Sequence, residues 1–312
     1  MDLVYNYVNG NDPEWVERRN KYGQNYDNSA CRFRDNGELR YSLRSVEKYA
    51  PWIQNIFIVM DSKVPDWLNE SKVHIIRHED IMPRELLPCY NSNVIEFHID
   101  NIPGLSDLFI YANDDMFFGN YVDESFFVQN GKPVIRMQER IVTPKNYYSK
   151  AIYNAQMVFQ REYNIKYDLA PSHAMDVYSK RSMKECKKRF AKDLSAFFGN
   201  RLRCDTDIQR VLYHYYLIAN NDCILKTHPS SSSSMGRYLN ILKRILLPSQ
   251  YLDFVTYKYD NFLESKSSRI YMSRNPKLVC LNDSESATED DINRYHKYMD
   301  KKFGDISAFE NV

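Results

Sequence analysis

Two adjacent carboxylates, Asp114 and Asp115, follow the apolar run from Leu108 to Ala112, with Asn113 in front of them. Carboxylate oxygens are hard donors, and one or two of them at a strand end suit Mg²⁺, which keeps positions open for phosphate oxygens. The same tripeptide also makes an ordinary turn, because Asn and Asp bond readily to nearby backbone. Arg40 and Arg44 stand four residues apart in a helical pattern. A guanidinium can clamp phosphate oxygens with paired hydrogen bonds, whereas on a surface helix the two arginines would simply be solvated. Asn9, Gly10 and Asp12 crowd the end of another apolar run, where Gly10 would let a ligand approach the backbone closely. A plain strand-to-loop turn would use the same residues.

These residues need elements to hold them. Leu3 to Val8, Ile53 to Met60, Val73 to Arg77 and Leu108 to Ala112 are short, β-branched and bounded by polar turns, which predicts buried strands. Between the first two, Leu39, Leu43, Val46 and Ala50 recur at helical spacing, with Asp35 and Glu38 placed as a capping box. Arg40 and Arg44 then lie off the apolar stripe, and Glu47 is spaced to pair with Arg44. Further helices are expected at Val94 to Asp100, Asp176 to Lys192, Thr206 to Asn220 (with Thr206 and Gln209 as its cap) and Asp290 to Lys302. The second of these carries Lys180, Arg181, Lys184, Lys187, Lys188, Arg189 and Lys192, either a solvated face or a surface that docks to anionic glycan or lipid. Arg237 to Leu247 is similarly basic and apolar and reads better as a core helix, and Ser230 to Ser234 reads as a loop.

The chain has 312 residues, with 42 Lys and Arg against 41 Asp and Glu, for a formal charge of +1. That balance argues against a protein that coats nucleic acid through bulk charge. No apolar stretch approaches the roughly 20 residues of a membrane span, and the start lacks the pattern of a secretory signal. The six cysteines are scattered without a CxxC pair, which fits neither a zinc site nor a small disulfide scaffold. Reduced thiols and a cytoplasmic protein are the expectation.

Several separated segments resemble the Stealth family of sugar-phosphate transferases. Asp2-Leu-Val-Tyr-Asn-Tyr-Val-Asn-Gly-Asn-Asp-Pro13 is similar to its first conserved block, with Tyr7 where many members have Trp. Arg32-Phe-Arg-Asp-Asn-Gly-Glu-Leu-Arg-Tyr-Ser-Leu-Arg-Ser45, Tyr49-Ala-Pro-Trp-Ile53, Ser92-Asn-Val-Ile-Glu96 and the stretch from Gly104 to Asp115 resemble the second. Pro171-Ser-His173 and Arg203-Cys-Asp-Thr-Asp-Ile-Gln209 resemble the third, and Cys280-Leu-Asn-Asp283 the fourth. The family includes the enzyme that begins mannose 6-phosphate tagging and bacterial enzymes that build capsule or exopolysaccharide. The chain starts at the first block without anchors or large insertions, so the bacterial branch is expected.

The resemblance implies an α/β fold with a Rossmann-like, GT-A-like nucleotide-sugar-binding sheet over residues 1–119. A mainly helical region over 120–312 would return acceptor and catalytic residues to the same core. It implies transfer of hexose 1-phosphate, of the N-acetylhexosamine class, from a UDP-hexose, with Mg²⁺ or Mn²⁺, to a glycan or lipid-linked oligosaccharide with release of UMP; the alternatives are a metal-dependent glycosyltransferase releasing UDP and a non-catalytic glycan- or nucleotide-binding module. Asp115 would be the first metal ligand and Asp114 the second. Asn9, Gly10, Asp12, Arg40, Arg44, Asn113, Asn282 and Asp283 would line the donor, and Ser92, Glu96, Asp207 and Gln209 the substrate. His173 would be the general base, and Arg203 would steady the phosphoryl group with the N-terminus of the helix after it. An acceptor of this kind implies peripheral contact with the inner face of the plasma membrane; no nucleic acid partner is expected, and the sequence assigns no oligomeric state.

Overall fold

A computed structural model of the chain describes residues 1–22, 30–229, 246 and 253–311. Ser230 to Ser234, and Arg237 to Leu247 apart from Leu246, lie outside the described residues. The strands are β1 (Asp2–Asn6), β2 (Ile56–Val59), β3 (His74–Ile76), β4 (Leu108–Asn113), β5 (Met116–Phe118), β6 (Val128–Gln129), β7 (Lys132–Glu139), β8 (Leu169–Pro171), β9 (Asp176–Ser179), β10 (Ile224–Pro229), β11 (Phe254–Lys258) and β12 (Leu278–Asn282). The helices are α1 (Pro13–Asn20), α2 (Glu38–Tyr49), α3 (His78–Ile81), α4 (Ser92–Glu96), α5 (Tyr147–Tyr163), α6 (Lys180–Arg189), α7 (Ala191–Phe198), α8 (Val211–Ala219), α9 (Lys266–Ser273) and α10 (Glu289–Phe303).

The principal sheet runs β3-β2-β1-β4-β9, parallel through β4 and closed by antiparallel β9. Apart from the edge strand β3, where His74 is exposed, its strands are buried on both faces, as their nearly continuous apolar sequences require. Alternation sends Val4, Phe57, Val59, Phe109 and Tyr111 into one core, and Leu3, Tyr5, Ile56, Ile58, Ile110 and Ala112 into the other. The second core receives Leu39, Leu43 and Val46 of α2, and the first receives Val94 and Ile95 of α4 with Val211 and Leu212 of α8. A third core packs α10 on β12 through Tyr295, Met299 and Phe303.

The α/β expectation holds, and several local expectations are corrected. Among the described residues, the region beyond 120 holds the six helices α5 to α10, and it also carries β6 to β12, of which β9 completes the principal sheet. Asp176 to Ser179 is that strand rather than the start of a helix, because edge pairing with β4 buries all four residues. The helix expected from Thr206 begins at Val211, and Gln209 caps it only by accepting from the Val211 backbone N–H at 2.5 Å. Helix α2 has no Asp35/Glu38 box. It starts after Gly37, which holds φ 77°, a left-handed conformation that favours glycine. The helix expected over Val94 to Asp100 breaks into α4 and a 3₁₀ turn at Ile99–Asn101.

Candidate active site

The strand order places β1 between strands that wind away in opposite directions, and in open α/β sheets the crevice beyond the carboxyl ends at such a switch point is where ligands bind. Asn6 and Asn113 end β1 and β4 side by side, and Asp114 and Asp115 form the turn that follows. Immediately afterwards β5 leaves the principal sheet and pairs with β12, setting Met116 opposite Cys280. The Leu281 N–H donates to the Asp115 carbonyl at 3.0 Å, which locks the acidic turn to the end of β12.

That junction brings together residues remote in sequence. Ligand atoms of Asp115, His173 and Cys280 all lie within 4.8 Å of one another. Cys280 hydrogen-bonds the Asp115 carboxyl, yet Asp115 Oδ1 is buried without a partner. Burial, with the charge of Glu38 added, pushes that carboxyl up to about 7. Asp114 is raised well above the usual range by burial and then by Asp115, Glu38 and Asp35. A half-buried turn with a surplus of acid and an orphaned carboxylate oxygen fits a divalent cation, which would supply the missing positive charge. Asp115 and Asp114 are the residues that would hold it.

His173 sits in the loop between β8 and β9. Its Nε2 lies 3.4 Å from Asn282 Oδ1, its carbonyl accepts from Thr256 Oγ1 at 2.9 Å, and Tyr148 meets its ring edge-on. Burial and the nearby charge of Arg210 lower its pKa to about 4, so the imidazole is neutral and able to take a proton at neutral pH. The structure therefore brings Asp115, Asp114, His173 and Asn282 together, with Asn113 Oδ1 beside them, 2.9 Å from the Tyr111 hydroxyl.

Arg210 lies beneath this group. Its Nη1 is 3.1 Å from Glu96 Oε2, its Nη2 is 3.4 Å from Asp176 Oδ2, and its Nε donates to the Tyr178 hydroxyl at 2.9 Å. The guanidinium also covers the Tyr111 ring at 4.6 Å, and the Tyr111 hydroxyl donates to Glu96 Oε1 at 3.0 Å. Glu96 is therefore buried in an ion-pair network. Sequence reasoning missed Arg210 and Asp176; the signal was a charged residue inside the apolar run of Ile208, Val211 and Leu212.

Arg203 donates to Ser92 Oγ at 2.6 Å and lies over the Tyr147 ring at 5.6 Å, so two expected site residues meet at the start of α4. Adjacent Tyr147 and Tyr148 touch Arg203 and His173 respectively, which links the two groups through the first turn of α5. The expected helix N-terminus beside Arg203 is absent, since α8 begins at Val211. Asp207 has no exposure and accepts from Asn91 at 2.8 Å, Asn200 at 2.8 Å and the Tyr147 hydroxyl. It clips the loop to α4 and has no oxygen left for a ligand. Gln209, also buried, is occupied by the start of α8.

Other expected donor residues have structural partners. Arg44 makes paired bonds of 2.7 Å to Glu310 and donates to the Phe303 carbonyl at 2.9 Å, while Arg40 lies 3.5 Å from Glu310 and over Trp67. The two arginines hold the C-terminal segment and are not brought to the acidic turn. Glu47 accepts from the Ala308 N–H instead of pairing with Arg44. Asp12 caps α1 through the Glu14 and Trp15 N–H groups and holds Lys63 N–H at 2.7 Å. Asn9 is tied to Ser62 and Lys63. A Cβ on Gly10 would stand 1.5 Å from the Phe33 carbonyl oxygen, so the glycine is required by chain packing. Asp283 is gripped by Arg34 at 2.6 and 2.8 Å, a pairing the sequence did not suggest. Among the basic residues near α6, Lys187 reaches Asp100 at 2.5 Å, Lys180 reaches the Ile102 carbonyl and Arg189 pairs with Glu162, leaving Arg181, Lys184, Lys188 and Lys192 exposed.

The half-wound parallel sheet and the acidic turn at its switch point define an α/β protein with a ligand site at the carboxyl ends of its strands. The chain carries Stealth conserved region 1 and conserved region 2, whose models match residues 1–27 and 32–135. It is 38% identical over 177 residues to the exopolysaccharide phosphotransferase cps2G of Lactiplantibacillus plantarum, covering 55% of this chain and 52% of that protein. It is 37% identical over 227 residues to a capsular polysaccharide phosphotransferase of Actinobacillus suis, covering 67% of this chain and 61% of that protein. The chain thus spans about half to six-tenths of the length of these curated relatives. The capsular polysaccharide phosphotransferase WcwK of Streptococcus pneumoniae aligns over 99% of this chain and 98% of its own at 28% identity. A solved galactosyltransferase, LgtC with donor and acceptor sugar analogues, covers 99% of this chain and 97% of its own at 7% identity and a TM-score of 0.45. Among the described residues no helix is long and apolar enough to cross a membrane.

Proposed function

We propose that the protein transfers hexose 1-phosphate, of the N-acetylhexosamine class, from a UDP-sugar to a sugar hydroxyl of a glycan or lipid-linked oligosaccharide in capsule or exopolysaccharide synthesis. The observation that carries the reading is the convergence of Asp115, with its unpartnered buried oxygen, and neutral His173 at the switch-point crevice of a chain that carries Stealth conserved regions. The phosphotransferase names of the relatives support the reaction class. The acceptor hydroxyl attacks the β-phosphorus, the bond to the α-phosphate bridging oxygen breaks, and UMP leaves. The bond from C1 to oxygen stays intact, so the anomeric configuration of the donor is kept.

In this reading Asn282 Oδ1 accepts from His173 Nε2 and orients the ring, which leaves Nδ1 to take the proton of the attacking hydroxyl. Arg203, steadied by Ser92, meets the phosphoryl oxygens, where a planar guanidinium can bond two at once. Arg210 fixes Glu96 and supplies a positive field beneath the site. Mg²⁺ or Mn²⁺ bound at Asp115 and Asp114 would offset the negative charge of the diphosphate. The protein works at the cytoplasmic face, in peripheral contact with the membrane that carries its acceptor.

Incubation with a panel of UDP-sugars, Mg²⁺ and an acceptor oligosaccharide, followed by chromatography of the nucleotides, tests the reaction. UMP is the expected product. Release of UDP alone by an active preparation would replace this reading with ordinary glycosyl transfer.

A further inference from the structure

The acidic turn is built for a hard cation, but the third member of the cluster is not a hard donor. Cys280 has no exposure and lies in β12, which is paired on one side to β11 and on the other to β5, so its sulfur is held in place by two ladders. Its ligand atom, one from His173 and one from Asp115 lie within 4.8 Å of one another. Thiolate, imidazole and carboxylate form a donor set that Zn²⁺ takes at about 2.3, 2.0–2.1 and 2.0–2.2 Å. Tetrahedral bonds of those lengths separate neighbouring donors by about 3.3–3.7 Å, so closure needs about 1 Å of inward movement. Asp115 and His173 can supply it, one on a turn and the other in a loop.

We propose that Asp115, His173 and Cys280 form an inhibitory site for a thiophilic divalent cation of the Zn²⁺ type, distinct in its donors from the all-oxygen site that serves Mg²⁺. The inhibitory consequence rests on the reading of His173 as the base. Zn²⁺ binding displaces the thiol proton to solvent. The resulting complex of one dication, one thiolate, one carboxylate and one neutral imidazole carries no net charge, which suits a buried position. Mg²⁺ does not recruit the sulfur, because a hard ion gains little from thiolate. The identity of the ion thus decides whether the His173 nitrogen is free for a proton or occupied by a metal.

Co²⁺ is the probe, since a cobalt–thiolate bond gives a near-ultraviolet charge-transfer band that oxygen and nitrogen ligands do not. Titrating the metal-free full chain with Co²⁺ should raise this band to saturation at one ion per chain, and Zn²⁺ should abolish it. Cys280→Ser should remove the band and His173→Gln should weaken it, each variant being checked for native circular dichroism. In turnover with excess Mg²⁺, the Zn²⁺ concentration for half-inhibition should rise about tenfold or more in Cys280→Ser, each protein being measured against its own zinc-free rate. No band in the parent protein, or a band unaltered by Cys280→Ser, overturns the proposal. The cobalt spectrum needs no turnover, so it stands apart from the assignment of the reaction: a band together with undiminished turnover by His173→Gln would refute the base and the inhibition while leaving the metal-binding site.

Discussion

Arg210→Met keeps an unbranched apolar stem and removes the guanidinium that meets Glu96 at 3.1 Å and Asp176 at 3.4 Å. Breaking a buried ion pair from one side costs about 3–5 kcal/mol, because the remaining charge is uncompensated. The carboxyls left behind can escape part of that cost by binding a proton. With Arg210 present, burial already raises Asp176 to about 7 against the pull of the arginine; without it the group rises further. A carboxyl raised above its ordinary 3.8 binds its proton more tightly in the folded state, so the penalty is absent below that value and grows as pH climbs to the folded pKa. In the parent the window closes near 7, and in the variant it continues upward, so the gap between the two proteins opens above neutrality. At about pH 5.5 Asp176 is protonated in both and its share of the penalty drops out, so the loss is smaller, about 1–3 kcal/mol from the Glu96 pair, the hydrogen bonds and the Tyr111 cation–π contact. At about pH 8.5 it approaches about 3–5 kcal/mol. For a chain of this size about 2 °C accompanies each kcal/mol, giving Tm losses of about 2–6 °C and about 6–10 °C. Thermal melts of parent and variant by circular dichroism at the two pH values measure the gap, and subtraction cancels titrations common to both. An equal loss at both pH values, or less than about 2 °C at the higher one, would refute the buried-network reasoning.

Four further outcomes are expected. Asp115→Asn keeps the shape of the turn and removes a hard anionic ligand, so turnover should vanish while the fold survives; near-normal rates at limiting Mg²⁺ would remove Asp115 from the metal site. His173→Ala should lose at least about a hundredfold in transfer while still binding donor, measured by calorimetry. Protonation of the folded imidazole should give the parent an acidic limb near 4, and a variant with full turnover and the same limb would exclude the residue as base. Arg203→Lys should lower kcat more than donor affinity, because the fork to the phosphoryl oxygens is lost, and full activity would leave only the Ser92 contact as its role. Arg44→Ala should cost about 1–3 kcal/mol of stability in a urea melt without altering donor KM, and a KM rise with unchanged stability would restore it to the donor site.

The apolar strands and α2 were legible because their patterns are local: continuous burial on both faces marks Val4, Ile58 and Ile110, and a 3.6-residue period marks Leu39, Leu43 and Val46. The strand-end acids were legible for the same reason, since Asp114 and Asp115 need only follow a strand to stand at its end. The bounds of α8, the strand at Asp176 and the work done by Arg44 were not. Asp176 to Ser179 becomes a strand because the edge of β4 is available to pair with it, and Arg44 turns from phosphate to Glu310 because the chain returns 266 residues later. The sequence determined which residue types stand at the ends of its strands and which family blocks it carries. Only the tertiary structure decided that Cys280 and His173 close on Asp115 and that Arg210 lies beneath them, because β5 changes sheets to pair with β12 and no local pattern encodes a partner so remote.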